Sequence, residues 1–216
     1  MTEQEREGRG SPALVDAVRR AGVRDPRVIE ALRSVPRERF VPSEWVELAN
    51  ADEPVPIGHG QVTTQPSLVA RMVEALELSG DEQVLEIGTG LGYQAAILGT
   101  LSRTVYSIER LPDLAARARD NLKAAGIDNA VVLVGDGALG LSSHAPYQAI
   151  IVSAASPSVP PALIEQLAEG GRLVQPMGRG GDEIVTKFRK RRGRVVRQGD
   201  VVRARFVPLI VGSEGG

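Results

Sequence analysis

The 216-residue sequence contains no cysteine. Disulfides, thiolate nucleophiles and cysteine-built metal centres are therefore excluded. Two histidines are too few for an ordinary zinc site, so no metal is expected. Aromatic residues make up 3% of the chain and the formal net charge is −1. That leaves neither the stacking platform nor the positive field that nucleic acid requires. One basic run, Lys187 to Arg194, reads as a solvated hairpin turn. No apolar run approaches the ~20 residues that span a bilayer. The first 30 residues carry charges throughout and lack the apolar centre of a secretory signal. These absences predict a soluble cytoplasmic protein with no membrane and no nucleic-acid partner; a monomer is expected.

Glycine, by contrast, is plentiful: 24 of 216 residues, against a usual ~7%. Three of these glycines alternate in Gln83-Val-Leu-Glu-Ile-Gly-Thr-Gly-Leu-Gly-Tyr93. The apolar run Val84–Ile87 predicts a buried strand, and Ala95–Leu101 predicts a helix. A strand that passes through a glycine turn into a helix makes a floor for a nucleoside-type cofactor, because the backbone can approach the ligand closely. In the dinucleotide fingerprint the third glycine comes one residue later than Gly92. Here Tyr93 holds that place, which argues against a nicotinamide cofactor.

The pattern around this stretch is α/β. Leu14, Val15 and Val18 predict a helix ending near Gly22, and Pro26 opens a second with Val28, Ile29 and Leu32 inward. Residues 37–56 read as irregular, anchored by Phe40, Val41 and Trp45. Residues 57–66 read as loop, and Pro66 opens an amphipathic helix carrying Val69, Met72, Val73 and Leu76. Strands are expected at Thr104–Ile108, Val131–Val134, Ala149–Val152 and Leu173–Gln175, and helices at Leu111–Ala125 and Pro160–Leu167. Such alternation predicts a parallel sheet covered on both faces. Two alternating stretches, Glu183–Lys190 and Arg194–Phe206, flank Gly193 and predict an antiparallel pair at its edge. The domain reading is a disordered tail over 1–10, a helical appendage over 11–56 and a core over 57–210, all within one structural domain.

Two further acids fit a cofactor site. Glu109 ends the second core strand about 20 residues after the first glycine, where a carboxylate reads ribose hydroxyls. Alternatively it is a helix-start acid. Asp136 lies between Gly135 and Gly137 after the third strand, placed to accept from an adenine amino group or to stabilise its own turn.

Across these segments the chain resembles the protein-L-isoaspartate (D-aspartate) O-methyltransferases. The resemblance is carried by Pro54-Val-Pro-Ile-Gly-His-Gly-Gln61, Val84 to Ala96, Val105 to Arg110, Gly135-Asp-Gly137, Ala145 to Val152, Gly170 to Val174 and Arg205-Phe-Val-Pro-Leu209. It implies a class I S-adenosylmethionine-dependent methyltransferase: a Rossmann-like, mostly parallel seven-stranded sheet with antiparallel C-terminal strands. The implied reaction moves a methyl group from S-adenosylmethionine to the free α-carboxyl of isoaspartyl, and also D-aspartyl, residues in damaged proteins or peptides. By position, Glu86, Gly88, Thr89, Gly90, Gly92, Glu109, Arg110, Asp136 and Gly137 would hold the cofactor. Ile57, His59, Gln61, Val62, Thr63, Ala154, Arg205 and Val207 would meet the substrate, and the Thr64 hydroxyl would serve catalysis. Thr63 or Thr64 could equally cap the helix opened by Pro66.

Three positions depart from the family pattern. Thr64 stands for serine, Val62 for threonine, and Gln148 for aspartate. They keep open a dedicated peptide substrate that is methylated on the way to an aspartimide. A cofactor-binding module without turnover is the further alternative.

Overall fold

The computed structural model describes residues 11–179 and 181–212; the tail expected over 1–10 lies outside them. Seven strands form the central sheet: β3 (Gln83–Ile87), β4 (Thr104–Glu109), β5 (Ala130–Val134), β6 (Tyr147–Val152), β7 (Leu167–Met177), β8 (Glu183–Arg191) and β9 (Arg194–Ala204). Their order is β5-β4-β3-β6-β7-β8-β9. The strands run parallel from β5 to β7, and β8 and β9 add an antiparallel pair at the edge. The chain steps outward from β3 to β4 and β5, then returns to place β6 on the other side of β3. That reversal opens a crevice at the carboxyl ends of β3 and β6, where ligands of open α/β sheets bind.

Alternation along β3 sorts its side chains. Val84 joins an apolar cluster on one face of the sheet and Leu85 and Ile87 join another on the opposite face. The first cluster is covered by α1 (Pro12–Arg20), α2 (Pro26–Ser34), α3 (Pro66–Ala75), α4 (Tyr93–Leu101) and α5 (Pro112–Ala124), each of which contributes buried apolar residues to it. The second is covered by α6 (Pro161–Gln166), through Leu163. The segment expected as an appendage thus shares its apolar cluster with the sheet: Val18, Val28 and Leu32 lie in one cluster with Met72, Val84 and Tyr93.

Several local expectations change. Residues expected as pure loop contain a hairpin, β1 (Val55–Gly58) and β2 (Gln61–Thr63), with the turn at His59 and Gly60 at positive φ. Residues 37–48 hold two short 3-10 helices, Arg37–Phe40 and Ser43–Leu48. Phe40 is fully buried as expected, but Trp45 is 40% exposed and lies outside the buried core. Helix α4 starts at Tyr93, two residues early, because Gly92 at φ +95° turns the chain directly into it. Strand β7 is eleven residues long. The Gly170-Gly171 pair lies where the β6–β7 register shifts, in an irregularity between the pairs Tyr147–Leu167 and Ala149–Arg172. β9 stops at Ala204, so Phe206 lies beyond the strand.

The basic run is largely committed locally. Lys187 and Arg189 pair with Glu77 at 2.5 and 3.0 Å. The Lys190 ammonium donates to the carbonyls of Ile164, Glu165 and Leu167 at the C-terminal end of α6.

Candidate active site

The glycine turn after β3 forms the floor of a cavity of about 400 Å³. Gly88, Gly90 and Gly92 all have positive φ, between +57° and +95°, a region that side-chain-bearing residues rarely enter. Their environments differ. A Cβ on Gly90 would come 3.3 Å from Ile57 Cδ1, and one on Gly88 would meet Ser153 Cβ at 3.4 Å. Both glycines line the cavity, whereas Gly92 does not. A Cβ there would touch Ala118 and Leu122 of α5, so the third glycine serves close helix packing.

Glu109 ends β4 inside the cavity wall. Its Oε2 accepts from the Gly90 N–H at 2.8 Å and its Oε1 from the Leu111 N–H at 3.1 Å. Each carboxylate oxygen retains a further lone pair, which suits a vicinal diol. Thr89 and Arg110 also line the cavity.

Glu86 lies beneath this floor, fully buried and outside the cavity wall. Its Oε1 accepts from Gln94 Nε2 at 2.9 Å, and the Ser107 hydroxyl donates to its Oε2. Burial pushes its carboxyl up to about 7; the Ser107 and Gln94 hydrogen bonds oppose the rise and the nearby Glu109 charge adds to it. Its role here is to brace the turn: Gln94 Nε2 also donates to Ser153 Oγ at 2.9 Å, tying α4 to the residue after β6.

Asp136 is likewise turned away. Its Oδ1 accepts from Ala138 N–H at 2.8 Å and its Oδ2 from Gly212 N–H at 2.7 Å. Only its neighbour Gly137 reaches the cavity. The carboxylate caps its own turn and holds the C-terminal segment, which passes across the cavity at Val207, Pro208, Leu209 and Ile210.

The β1–β2 hairpin supplies the opposite wall, with Ile57, His59, Gln61, Val62, Thr63 and Thr64 all lining the cavity. His59 Nε2 lies 2.8 Å from Asp113 Oδ2 at the start of α5, an exposed pair that closes one side. Val62 is 47% exposed, an apolar side chain at the rim. The helix-cap alternative for the threonines does not describe the geometry. Gln65 occupies the N-cap of α3 without a side-chain cap, and the Ser67 N–H is satisfied by Asp52 Oδ1 at 2.8 Å. Thr63 Oγ1 instead accepts from Arg37 Nη2 at 2.7 Å. Thr64 lies half-buried in the wall.

Ala154 and Val207 complete the chamber, while Arg205 lies outside it, exposed, with its Nε donating to Gly181 O at 3.3 Å. Gln148 is equally remote. It stands at the start of β6, where its Oε1 accepts from Gln83 N–H at 2.9 Å. The cavity meets the other end of that strand at Ser153, five residues on, roughly 16 Å away at a strand's rise. Tyr93, Gln94 and Ser153 line the cavity without having been singled out as contacts. For Ser153 the available signal was its position just beyond β6, beside β3.

A glycine turn at the reversal of a 5-4-3-6-7 parallel order, with an acid at the end of the adjacent strand, defines a Rossmann-like methyltransferase of class I. The residues fit S-adenosylmethionine: two glycines at positive φ keep the cavity floor free of side chains, a Cβ on Gly90 coming 3.3 Å from Ile57, and a carboxylate faces the same space. The family model for protein-L-isoaspartate(D-aspartate) O-methyltransferase matches residues 9–214, and the chain belongs to that family. It is 50% identical over 195 residues to the protein-L-isoaspartate O-methyltransferase of Methanoculleus marisnigri, covering 89% of this chain and 87% of that one. It is 47% identical over 203 residues to that of Myxococcus xanthus, covering 93% and 96%. Among solved structures, a protein-L-isoaspartate O-methyltransferase superposes with a TM-score of 0.81 at 28% identity, covering 94% of this chain and 66% of that longer one. A Plasmodium falciparum structure, described as a beta-aspartate methyltransferase in complex with S-adenosyl-L-homocysteine, shares the fold with a TM-score of 0.77 at 23% identity.

Proposed function

We infer that the protein transfers a methyl group from S-adenosylmethionine to the free α-carboxyl of L-isoaspartyl residues, and of D-aspartyl residues, in damaged proteins and peptides. The observation that carries this reading is the single chamber. It joins the Gly88–Gly90 turn and Glu109 on one side to Val62, Thr63 and Thr64 on the other. A cofactor seated on the turn and a carboxylate held by the loop would therefore face each other.

When bound, the cofactor supplies an electrophilic methyl that passes to a carboxylate oxygen as the carbon–sulfur bond breaks, leaving a neutral thioether. The remaining work is positional. A carboxylate of ordinary pKa, ~4, is already ionised at neutral pH, so no general base is required. Gly88 and Gly90 would admit the cofactor close to the backbone, and Glu109 would accept from its ribose hydroxyls. The Thr64 hydroxyl donates to the substrate carboxylate and fixes the attacking oxygen. The hairpin and the segment 207–210 exclude water.

Methylation of this carboxyl activates it for closure to a succinimide, as the backbone nitrogen displaces methanol; hydrolysis opens the ring at either carbonyl, giving normal aspartate together with isoaspartate that can be methylated again. We assign the protein to such repair, acting as a monomer in the cytoplasm. The near-neutral net charge and the absence, among the described residues, of a helix long and apolar enough to cross a membrane agree with that setting. Of the three departures from the family pattern, Gln148 bears on the far end of the sheet and not on substrate choice. Val62 and Thr64 are the two that line the chamber. Turnover of Thr64 variants on an isoaspartyl peptide tests the assignment. Thr64→Ser is expected to retain activity, and Thr64→Ala to lose about 10- to 100-fold in kcat with cofactor affinity intact. Normal turnover by Thr64→Ala would remove the hydroxyl from the mechanism.

A further inference from the structure

We propose that Arg37 is a positioning residue that sets where the Thr63–Thr64 backbone stands against the cofactor chamber. The proposal rests on the reading of this loop as the catalytic wall. Arg37 is the largest side chain among those fully buried, 1% exposed. Its guanidinium is shared between two segments. Nη1 donates to the carbonyls of Ala49 and Ala51 at 3.3 and 3.0 Å, and Nη2 to that of Glu53 at 2.8 Å. Nη2 also reaches Thr63 Oγ1 at 2.7 Å and the Thr64 carbonyl at 3.5 Å. The same group lies over the Tyr93 ring, 5.8 Å from its centroid, and Tyr93 both lines the chamber and opens α4 directly after the glycine turn. One rigid, planar fork thus relates the substrate wall, the 49–53 segment and the cofactor floor.

The loop needs such an anchor. Its hairpin has strands of only four and three residues, with an irregularity between Pro56 and Gly58. An isolated two-stranded ribbon of that size is marginal in water. Asp52 fixes the loop's exit, accepting from Ser67 N–H at 2.8 Å and from Gln65 Nε2 at 2.9 Å. Arg37 fixes the residues before it, so Thr64 is held from both sides. Burying a guanidinium is costly unless its donors are satisfied; here the two Nη groups carry all of its hydrogen bonds and the buried Nε makes none. A lysine in its place keeps the charge but loses the fork. Displacing a reacting group by about 1 Å costs on the order of 100-fold in rate.

The test compares Arg37→Lys, Thr63→Val and their double variant with Thr64→Ala. The readouts are kcat and KM for an isoaspartyl peptide and Kd for S-adenosylhomocysteine. Arg37→Lys is expected to lower kcat by about 10- to 100-fold with Kd within about twofold of wild type. Thr63→Val is expected to lower kcat in the same sense. The double variant is expected to be no slower than Arg37→Lys alone, because both changes remove the same link. A residue that only braced the fold would lower thermal stability and leave kcat per folded enzyme, and this non-additivity, untouched. The proposal is overturned if Arg37→Lys and Thr63→Val bind S-adenosylhomocysteine normally and turn over within twofold of wild type. If Arg37→Lys does not fold, Thr63→Val decides: a kcat within twofold of wild type overturns the proposal, as does a loss carried by a raised peptide KM, and a larger loss in kcat with KM unchanged and restored by Thr63→Ser upholds it. Slow Thr64→Ala beside normal Arg37→Lys and Thr63→Val sinks the positioning role and spares the catalytic threonine. Normal Thr64→Ala beside slow Arg37→Lys does the reverse.

Discussion

Replacing Glu86 by glutamine should change how stability depends on pH. The carboxyl is fully buried, and burial raises it from 4.5 to about 7. The folded state therefore holds its proton more tightly than the unfolded chain does. Its contribution is most favourable below 4.5, declines as pH climbs from 4.5 to 7, and levels off above that. At about 1.4 kcal/mol per pK unit, the ionisation penalty is about 1 kcal/mol at pH 5 and about 3 kcal/mol at pH 8. Glu86→Gln carries no such penalty. Its amide can still accept from Gln94, and the Ser107 hydroxyl can turn to accept from it. Urea denaturation of both proteins at pH 5 and pH 8 isolates the effect, since every other titrating group cancels in the difference. The stability of the variant relative to wild type should increase by about 2–3 kcal/mol between the two pH values. A difference constant to within about 0.5 kcal/mol would show that Glu86 is not a strained buried acid, and that the floor of the site carries no latent charge.

Three other outcomes follow from the geometry. Glu109→Gln should weaken S-adenosylhomocysteine binding by about 10- to 100-fold in calorimetry, the loss of charge-assisted hydrogen bonds to a diol; unchanged affinity would refute the ribose role. Gly90→Ala should also weaken binding, because position 90 sits at φ +57° with Ile57 Cδ1 only 3.3 Å from the new methyl; wild-type affinity would show that the turn yields freely. Gln148→Asp should leave kcat and peptide preference unchanged, because this side chain binds the Gln83 N–H at the opposite end of the sheet; an altered preference would mean that the two ends of β6 are coupled.

The elements that can be read directly from the sequence are those with a local physical cause. The three glycines require positive φ, so their turn is visible without coordinates, and the alternation of apolar runs around it yields the parallel sheet. Glu109 is legible because a strand end fixes both its direction and its place. Asp136 and Arg205 are less so. Sequence order places Asp136 at the right sheet edge, but the choice between ligand and turn depends on where Gly212 and Ala138 bring their N–H groups. Gln148 stands in a family-specific segment, yet which end of β6 faces the cavity emerges only from the topology. Arg37 looks like any arginine in a polar stretch. Its burial is a consequence of tertiary closure over residues 49–53 and 63–64. Ser153 and Gln94 join the site through neighbours distant in sequence; Ser153 carries only the signal of its place just beyond β6, and no local pattern marks Gln94.

The account's central claim is that this one chamber seats S-adenosylmethionine against an isoaspartyl carboxylate. The most direct measurement is labelled methyl transfer from S-adenosylmethionine to a pair of peptides identical except for one isoaspartyl or one aspartyl linkage. The predicted result is rapid labelling of the isoaspartyl peptide and none above background for its twin. Equal labelling of both peptides, or labelling of neither by an enzyme that binds S-adenosylhomocysteine, would contradict it.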